Sequence, residues 1–160
     1  MAVLAARPCC LYVMNVMPGE GVYVDTSVLG AYYCPDALSK KAERALRKIL
    51  GPVLSSLSDV EFCSLISRKR QLKELSERQS NEILALFDSH VAQGFYRRVS
   101  PSTEHFLKAR QLVLVANSGL RTLDALHLAA AVTESLTMLT ADRTLAKAGK
   151  LFKAGVILIK

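Results

Sequence analysis

Short apolar runs alternate along this chain with stretches whose hydrophobic residues recur at helical spacing. Val22-Tyr23-Val24 is β-prone and runs into Asp25-Thr26-Ser27, a strand end with helix-capping chemistry. Leu38, Ala42, Ala45, Leu46 and Ile49 then follow a helical period that Gly51-Pro52 stops. Val53 to Leu57 reads as a second strand. Ser58 opens the next helix through the capping-box pattern Ser58-Asp59-Val60-Glu61. That helix carries Val60, Cys63 and Ile66 on one side and ends on Arg68-Lys69-Arg70, as its dipole favours. A second capping box, Ser76 to Gln79, starts a helix with Ile83, Leu86, Phe87 and Val91 facing inward, and Gly94 ends it.

The second half repeats the alternation. Phe95 to Val99 is a strand with two basic residues in its middle, followed by a helix from Thr103 to Ala116 that stops near Gly119. Thr122 caps an Ala- and Leu-rich helix from Leu123 to Glu134. Thr137 to Thr140 is a strand, Asp142 to Lys150 a short helix, and Val156 to Ile159 the last strand. Strands alternating with helices predict an α/β fold, a mostly parallel sheet covered by helices on both faces. Right-handed crossovers put the strands' C-terminal ends along one edge, where open α/β folds keep their sites.

The length of 160 residues suits one domain with a sizeable core. There is no internal repeat or linker, and residues 21–160 form the domain. Residues 1–20 read as a dispensable extension: the apolar stretch Cys9 to Met17 is broken by Asn15 and too short for a signal peptide. Pro18-Gly19-Glu20-Gly21 then leads into the first strand, so translation from Met17 would lose nothing the fold needs. No apolar run reaches the roughly 18 residues that span a bilayer. Cys9, Cys10, Cys34 and Cys63 form no C-x-x-C pair and no zinc spacing, and read as reduced thiols of a cytoplasmic protein.

The formal net charge of +7 favours a phosphate-rich partner, a statement about association and not about fold. Against that basic background, Asp25, Glu61, Asp124 and Asp142 each stand where a helix begins after, or facing, the end of a strand. Each has a capping explanation, and Glu61 has the best one, folding back on Ser58. Their joint placement points further. Junctions of a parallel sheet meet at one edge, and carboxylates brought together repel unless a cation sits between them. Asp124 also heads a nearly uncharged face formed by His127, Leu128 and Ala131, so it needs a partner to offset desolvation. His127 reads first as a satisfied core histidine, and second as a ligand or a donor to one.

Clustered carboxylate oxygens suit Mg²⁺ or Mn²⁺ better than zinc. Such ions activate water and stabilise a leaving oxygen. No Walker A loop, G-x-G-x-x-G turn or paired Ser or Cys nucleophile is present, so a metal-activated water is the expected nucleophile. Thr26, Ser27 and Thr140 stand beside the acids and can orient carboxylates or water, or serve only as turn and cap residues. Most of the basic groups are solvated helix faces; Arg143, beside Asp142, is the candidate substrate contact. An aspartyl-nucleophile phosphatase would want an Asp at Ser27, and a receiver domain would want one where Ser100 and Pro101 stand.

These stretches resemble a PIN-domain ribonuclease of the VapC toxin type, over Val22 to the C-terminus. The resemblance rests on Val24-Asp25-Thr26-Ser27-Val28-Leu29, on Ser56 to Leu65 around Glu61, on Leu123-Asp124-Ala125-Leu126-His127-Leu128-Ala129, and on Leu139-Thr140-Ala141-Asp142-Arg143. It implies a three-layer α/β/α sandwich and Mg²⁺- or Mn²⁺-dependent cleavage of RNA. It also implies a metal pocket of Asp25 and Asp124 completed by Glu61 and Asp142, a homodimer, and a cognate antitoxin that occludes the site. The extension departs from the family, whose first strand starts almost at the initiator Met. The non-enzymatic alternative is a PIN-like module that binds RNA or protein without cutting.

Overall fold

The computed structural model describes residues 21–115 and 118–160, so the expected N-terminal extension lies outside the described residues. In chain order the elements are β1 (Val22–Val24), α1 (Thr26–Tyr33), α2 (Ser39–Leu46), β2 (Pro52–Ser55), α3 (Ser56–Gln71) and α4 (Glu77–Ala92). They continue with β3 (Arg97–Val99), α5 (Thr103–Leu114), α6 (Thr122–Thr133), β4 (Thr137–Thr140), α7 (Arg143–Leu151) and β5 (Val156–Leu158). The five strands make one sheet of order β3-β2-β1-β4-β5, with every pairing parallel.

Side chains alternate across a strand, and here that alternation feeds two cores. Val24, Leu54 and Leu139 point into one, with Leu29, Phe62, Ile66 and Phe87 from α1, α3 and α4. Tyr23, Val53 and Met138 point into the other, with Leu112, Leu128 and Leu145 from α5, α6 and α7. The result is the α/β/α sandwich. Two arginines on β3 are tolerated because β3 is an edge strand, where charge also discourages pairing with another chain.

Several local expectations change. β2 ends at Ser55 and α3 begins at Ser56, so Ser58 lies inside the helix and the Ser58–Glu61 capping box does not form. The buried face of α3 is accordingly Ser58, Phe62 and Ile66, four residues apart, while Val60 and Cys63 are exposed. Leu86 on α4 is exposed as well, and the inward residue there is Phe87. Thr122 is the first helical residue of α6, and Arg121 takes the cap position. The Ser76–Gln79 box forms as expected, and Gly94 after α4 takes φ +71°, a value glycine adopts without strain. Cys34 is buried and Cys63 exposed, both as free thiols. Among the described residues no helix is long and apolar enough to cross a membrane.

Close packing of α7 onto β5 depends on Gly149. A Cβ there would come 2.5 Å from Val156 Cγ2, so a side chain at this position would force Val156 to shift. Gly149→Ala is expected to destabilise the protein by about 1–3 kcal/mol in urea unfolding, the usual cost of overpacking. Combined with Val156→Ala, the loss should be smaller than the sum of the two single losses by at least about 0.5 kcal/mol. Strict additivity would show that this contact does not set the spacing.

Candidate metal centre at the C-terminal edge of the sheet

The four acids of interest stand on four elements: Asp25 after β1, Glu61 in the second turn of α3, Asp124 in the first turn of α6, which follows α5, and Asp142 after β4. Asp25 follows β1, is 6% exposed, and caps α1. Its backbone N–H donates to Leu139 O on β4 at 2.9 Å, which fixes the turn. Its Oδ2 accepts from Thr140 Oγ1 at 2.9 Å and from the Ser27 hydroxyl, so a buried carboxylate is met by two hydroxyl donors. Ser27 Oγ in turn accepts from Ala141 N at 2.9 Å, tying α1 to the end of β4.

With no capping box to occupy it, Glu61 turns inward from the second turn of α3. Its Oε2 accepts from Thr26 Oγ1 at 2.6 Å and from His127 Nε2. Burial raises the Glu61 carboxyl, but the His127 hydrogen bond and charge, together with the Thr26 hydroxyl, outweigh it and hold the carboxyl below its ordinary range. His127 is 1% exposed. Its Nδ1 lies 2.7 Å from the Tyr23 hydroxyl, which donates to Ser55 Oγ at 2.7 Å. An imidazolium would donate from both nitrogens, to the Tyr23 oxygen and to Glu61. Burial opposes that charge, but Glu61, Asp25 and Asp124 together raise the His127 pKa. Burial also pushes the Tyr23 hydroxyl up to about 12, so it keeps its proton.

Asp142 caps α7, its Oδ1 accepting from Thr144 N at 2.6 Å and Leu145 N at 2.9 Å, and it is exposed. Asp124, half-buried in the first turn of α6, is the least compensated of the four. Desolvation raises its pKa first, and the negative charges of Asp142 and Asp25 raise it further against a backbone hydrogen bond from Arg121. A cleft of about 610 Å³ opens here, lined by Glu61, Asp124, Asp142, Arg121, Thr122 and Thr144 among others. Asp25 is not part of that wall, although its charge acts on Asp124.

Among the described residues, hydrogen bonds to Asp25 fall on Oδ2 and those to Glu61 on Oε2, leaving Oδ1 and Oε1 for another partner. All four donors are hard oxygens, a set that suits Mg²⁺ or Mn²⁺. Among the described residues no group of three or more Asp, Glu, His or Cys side chains stands so that it could hold a metal ion between them.

The sequence model of the PIN domain matches residues 22–151. The chain belongs to the PIN-domain family. No curated protein matches it in sequence. Solved PIN-like structures share its fold at low identity. The Mycobacterium tuberculosis toxin VapC20, described as cleaving the sarcin-ricin loop, aligns with a TM-score of 0.64 and 19% identity, over 80% of this chain and 95% of that one. FitAcB from Neisseria gonorrhoeae aligns at 0.65 and 16%, over 85% and 96%. VapBC2 from Rickettsia felis, bound to a promoter DNA fragment, aligns at 0.62 and 16%, over 87% and 98%.

Within this PIN domain, Thr26 meets Glu61 while Ser27 and Thr140 meet Asp25. Arg143 is exposed at the start of α7 next to Asp142. His127 is a satisfied core histidine, as its surroundings suggested, and it also binds Glu61. Sequence reasoning did not single out Tyr23, Ser55 or Arg121. Tyr23 carried a usable signal: alternation along β1 sends it to the face of α6, where a buried phenol needs a partner.

Crowding of like charge around Asp124 has a measurable consequence. In EDTA, Asp124→Asn is expected to be more stable than the wild-type protein, by on the order of 1 kcal/mol or less because the site is partly solvated. Added Mn²⁺ should raise the melting temperature of the wild type and leave the variant unchanged. A variant less stable than the wild type in EDTA would contradict the crowding.

Proposed function

We propose that this PIN domain is a metal-dependent endoribonuclease, the toxin of a toxin–antitoxin pair, hydrolysing RNA phosphodiesters with a metal-activated water. The observation that carries the reading is Asp124, a carboxylate raised by desolvation and by Asp142 and Asp25, facing a cleft that Glu61 and Asp142 also line. Such a group calls for a cation.

Mg²⁺ or Mn²⁺ would supply Lewis acidity at the phosphodiester and a water of lowered pKa. Asp25 and Asp124 would be its main ligands, with Glu61 and Asp142 completing the set directly or through water. Ser27 and Thr140 hold Asp25 in place, and Thr26 holds Glu61. Arg143, and Arg121 on the cleft wall, would meet phosphate and set the register of the strand without reading its bases. An open cleft suits single-stranded RNA, or exposed loops of structured RNA.

The toxin assignment draws on the fold shared with VapC20 and with the FitAcB and VapBC2 proteins. On that reading the protein is cytoplasmic, forms a homodimer, and is silenced by a cognate antitoxin.

Purified protein incubated with mixed RNA and Mn²⁺ or Mg²⁺ is expected to cut it. EDTA should abolish the cleavage, and Asp124→Asn should lower it by about 100-fold or more, as loss of a preorganised electrostatic group does. Cleavage that persists in EDTA or in the variant would overturn the metal mechanism. Intact RNA binding with no cleavage across many RNAs would instead favour the non-catalytic PIN-like module.

A further inference from the structure

We propose that Tyr23 and His127 are positioning residues that set the Glu61 carboxylate for cation binding. The inference rests on the reading of Glu61 as a member of the metal set. Four side chains from four elements form a single chain of hydrogen bonds: Ser55 on β2, Tyr23 on β1, His127 on α6 and Glu61 on α3. The first three are buried to within 1%. The chain runs from the core beneath α6, past the end of the sheet, to α3 on the opposite face. It ends on a single atom, Glu61 Oε2, which also accepts from Thr26 Oγ1 at 2.6 Å.

Two donors on one carboxylate oxygen do more than satisfy it. A glutamate has three side-chain torsions and, from the second turn of α3, many directions open to it. Anchoring Oε2 from two sides selects one of them and leaves Oε1 as the oxygen without a protein donor among the described residues. Glu61 is part of the cleft wall, so the fixed orientation belongs to a group that faces the ligand. Tyr23 acts one step further back. Its hydroxyl engages His127 Nδ1 at 2.7 Å, which fixes the ring plane and so the direction of Nε2. The ring centroids lie 5.6 Å apart at 60°, so the phenol also buttresses the imidazole by packing. A buried network of this kind is costly when any member is left unpaired, and here each link is made.

A purely structural role would tie the two cores together and leave metal affinity alone. The two roles separate in a direct Mn²⁺ titration of the full chain, followed by the electron paramagnetic resonance of free Mn²⁺, with thermal unfolding in EDTA measured alongside. His127→Leu is expected to weaken Mn²⁺ binding by about 10- to 100-fold, as loss of an outer partner of a metal ligand does. His127→Gln, which keeps a donor toward Glu61, should recover most of that loss. Tyr23→Phe preserves the ring volume and should fall between the wild type and His127→Leu. Should His127→Leu fail to fold, the other two variants carry the test. Folded variants that bind Mn²⁺ within about twofold of wild type, whatever their melting temperatures, would overturn the proposal. Wild-type protein whose Mn²⁺ binding is absent or indifferent to Asp124→Asn would overturn the metal reading itself, and this inference with it.

Discussion

Carboxylates collected at one edge of a parallel sheet repel one another, and each must be compensated where it stands. Here the compensation is uneven. Asp25 has two hydroxyls and the start of α1; Glu61 has His127 and Thr26; Asp142 has two backbone N–H groups of α7. Asp124 has a backbone hydrogen bond from Arg121 and, among the described residues, no side-chain donor. The shortfall therefore concentrates on Asp124, and it is desolvated toward a cleft that can admit an ion and its waters. The rest of the site serves to hold that arrangement against its own repulsion.

The basic surplus of the chain looks different once pairs are removed. Arg98 is engaged by both oxygens of Asp59, and Lys69 meets Glu74 at 2.7 Å. Exposed pairs of this kind contribute little stability, typically about 0–1 kcal/mol each, but they do withdraw charge from solvent. Arg121 and Arg143 stand at the starts of α6 and α7, close in sequence to Asp124 and Asp142. Arg121 lines the cleft together with Glu61, Asp124 and Asp142, so both signs of charge meet on that wall.

Periodicity made the alternating strands and helices readable, because each strand's alternation and each helix's apolar stripe answer to a core. The start of α3 was not readable in the same way. Ser58-Asp59-Val60-Glu61 satisfies the capping pattern, yet β2 stops at Ser55 and the helix is capped there, three residues earlier than that pattern requires. Buried Ser58 and Phe62 decide the matter through packing on the sheet, which local pattern does not register. The shift releases Glu61 from its cap and sends it to Thr26 and His127. Asp25 and Asp124 stood out from their own surroundings, one at a strand end and one at the head of an apolar face. The Tyr23–His127 link joins residues 104 apart and depends on which face of the sheet each occupies, so it emerges only with the fold.

The most direct test is a crystal structure of the protein soaked in Mn²⁺, with anomalous data to place the ion. An anomalous peak within coordination distance of Asp25 and Asp124, on the side of the cleft lined by Glu61 and Asp142, is the expected result. A peak elsewhere, or none at saturating Mn²⁺ with these side chains well ordered, would contradict the assignment of this edge as a metal centre.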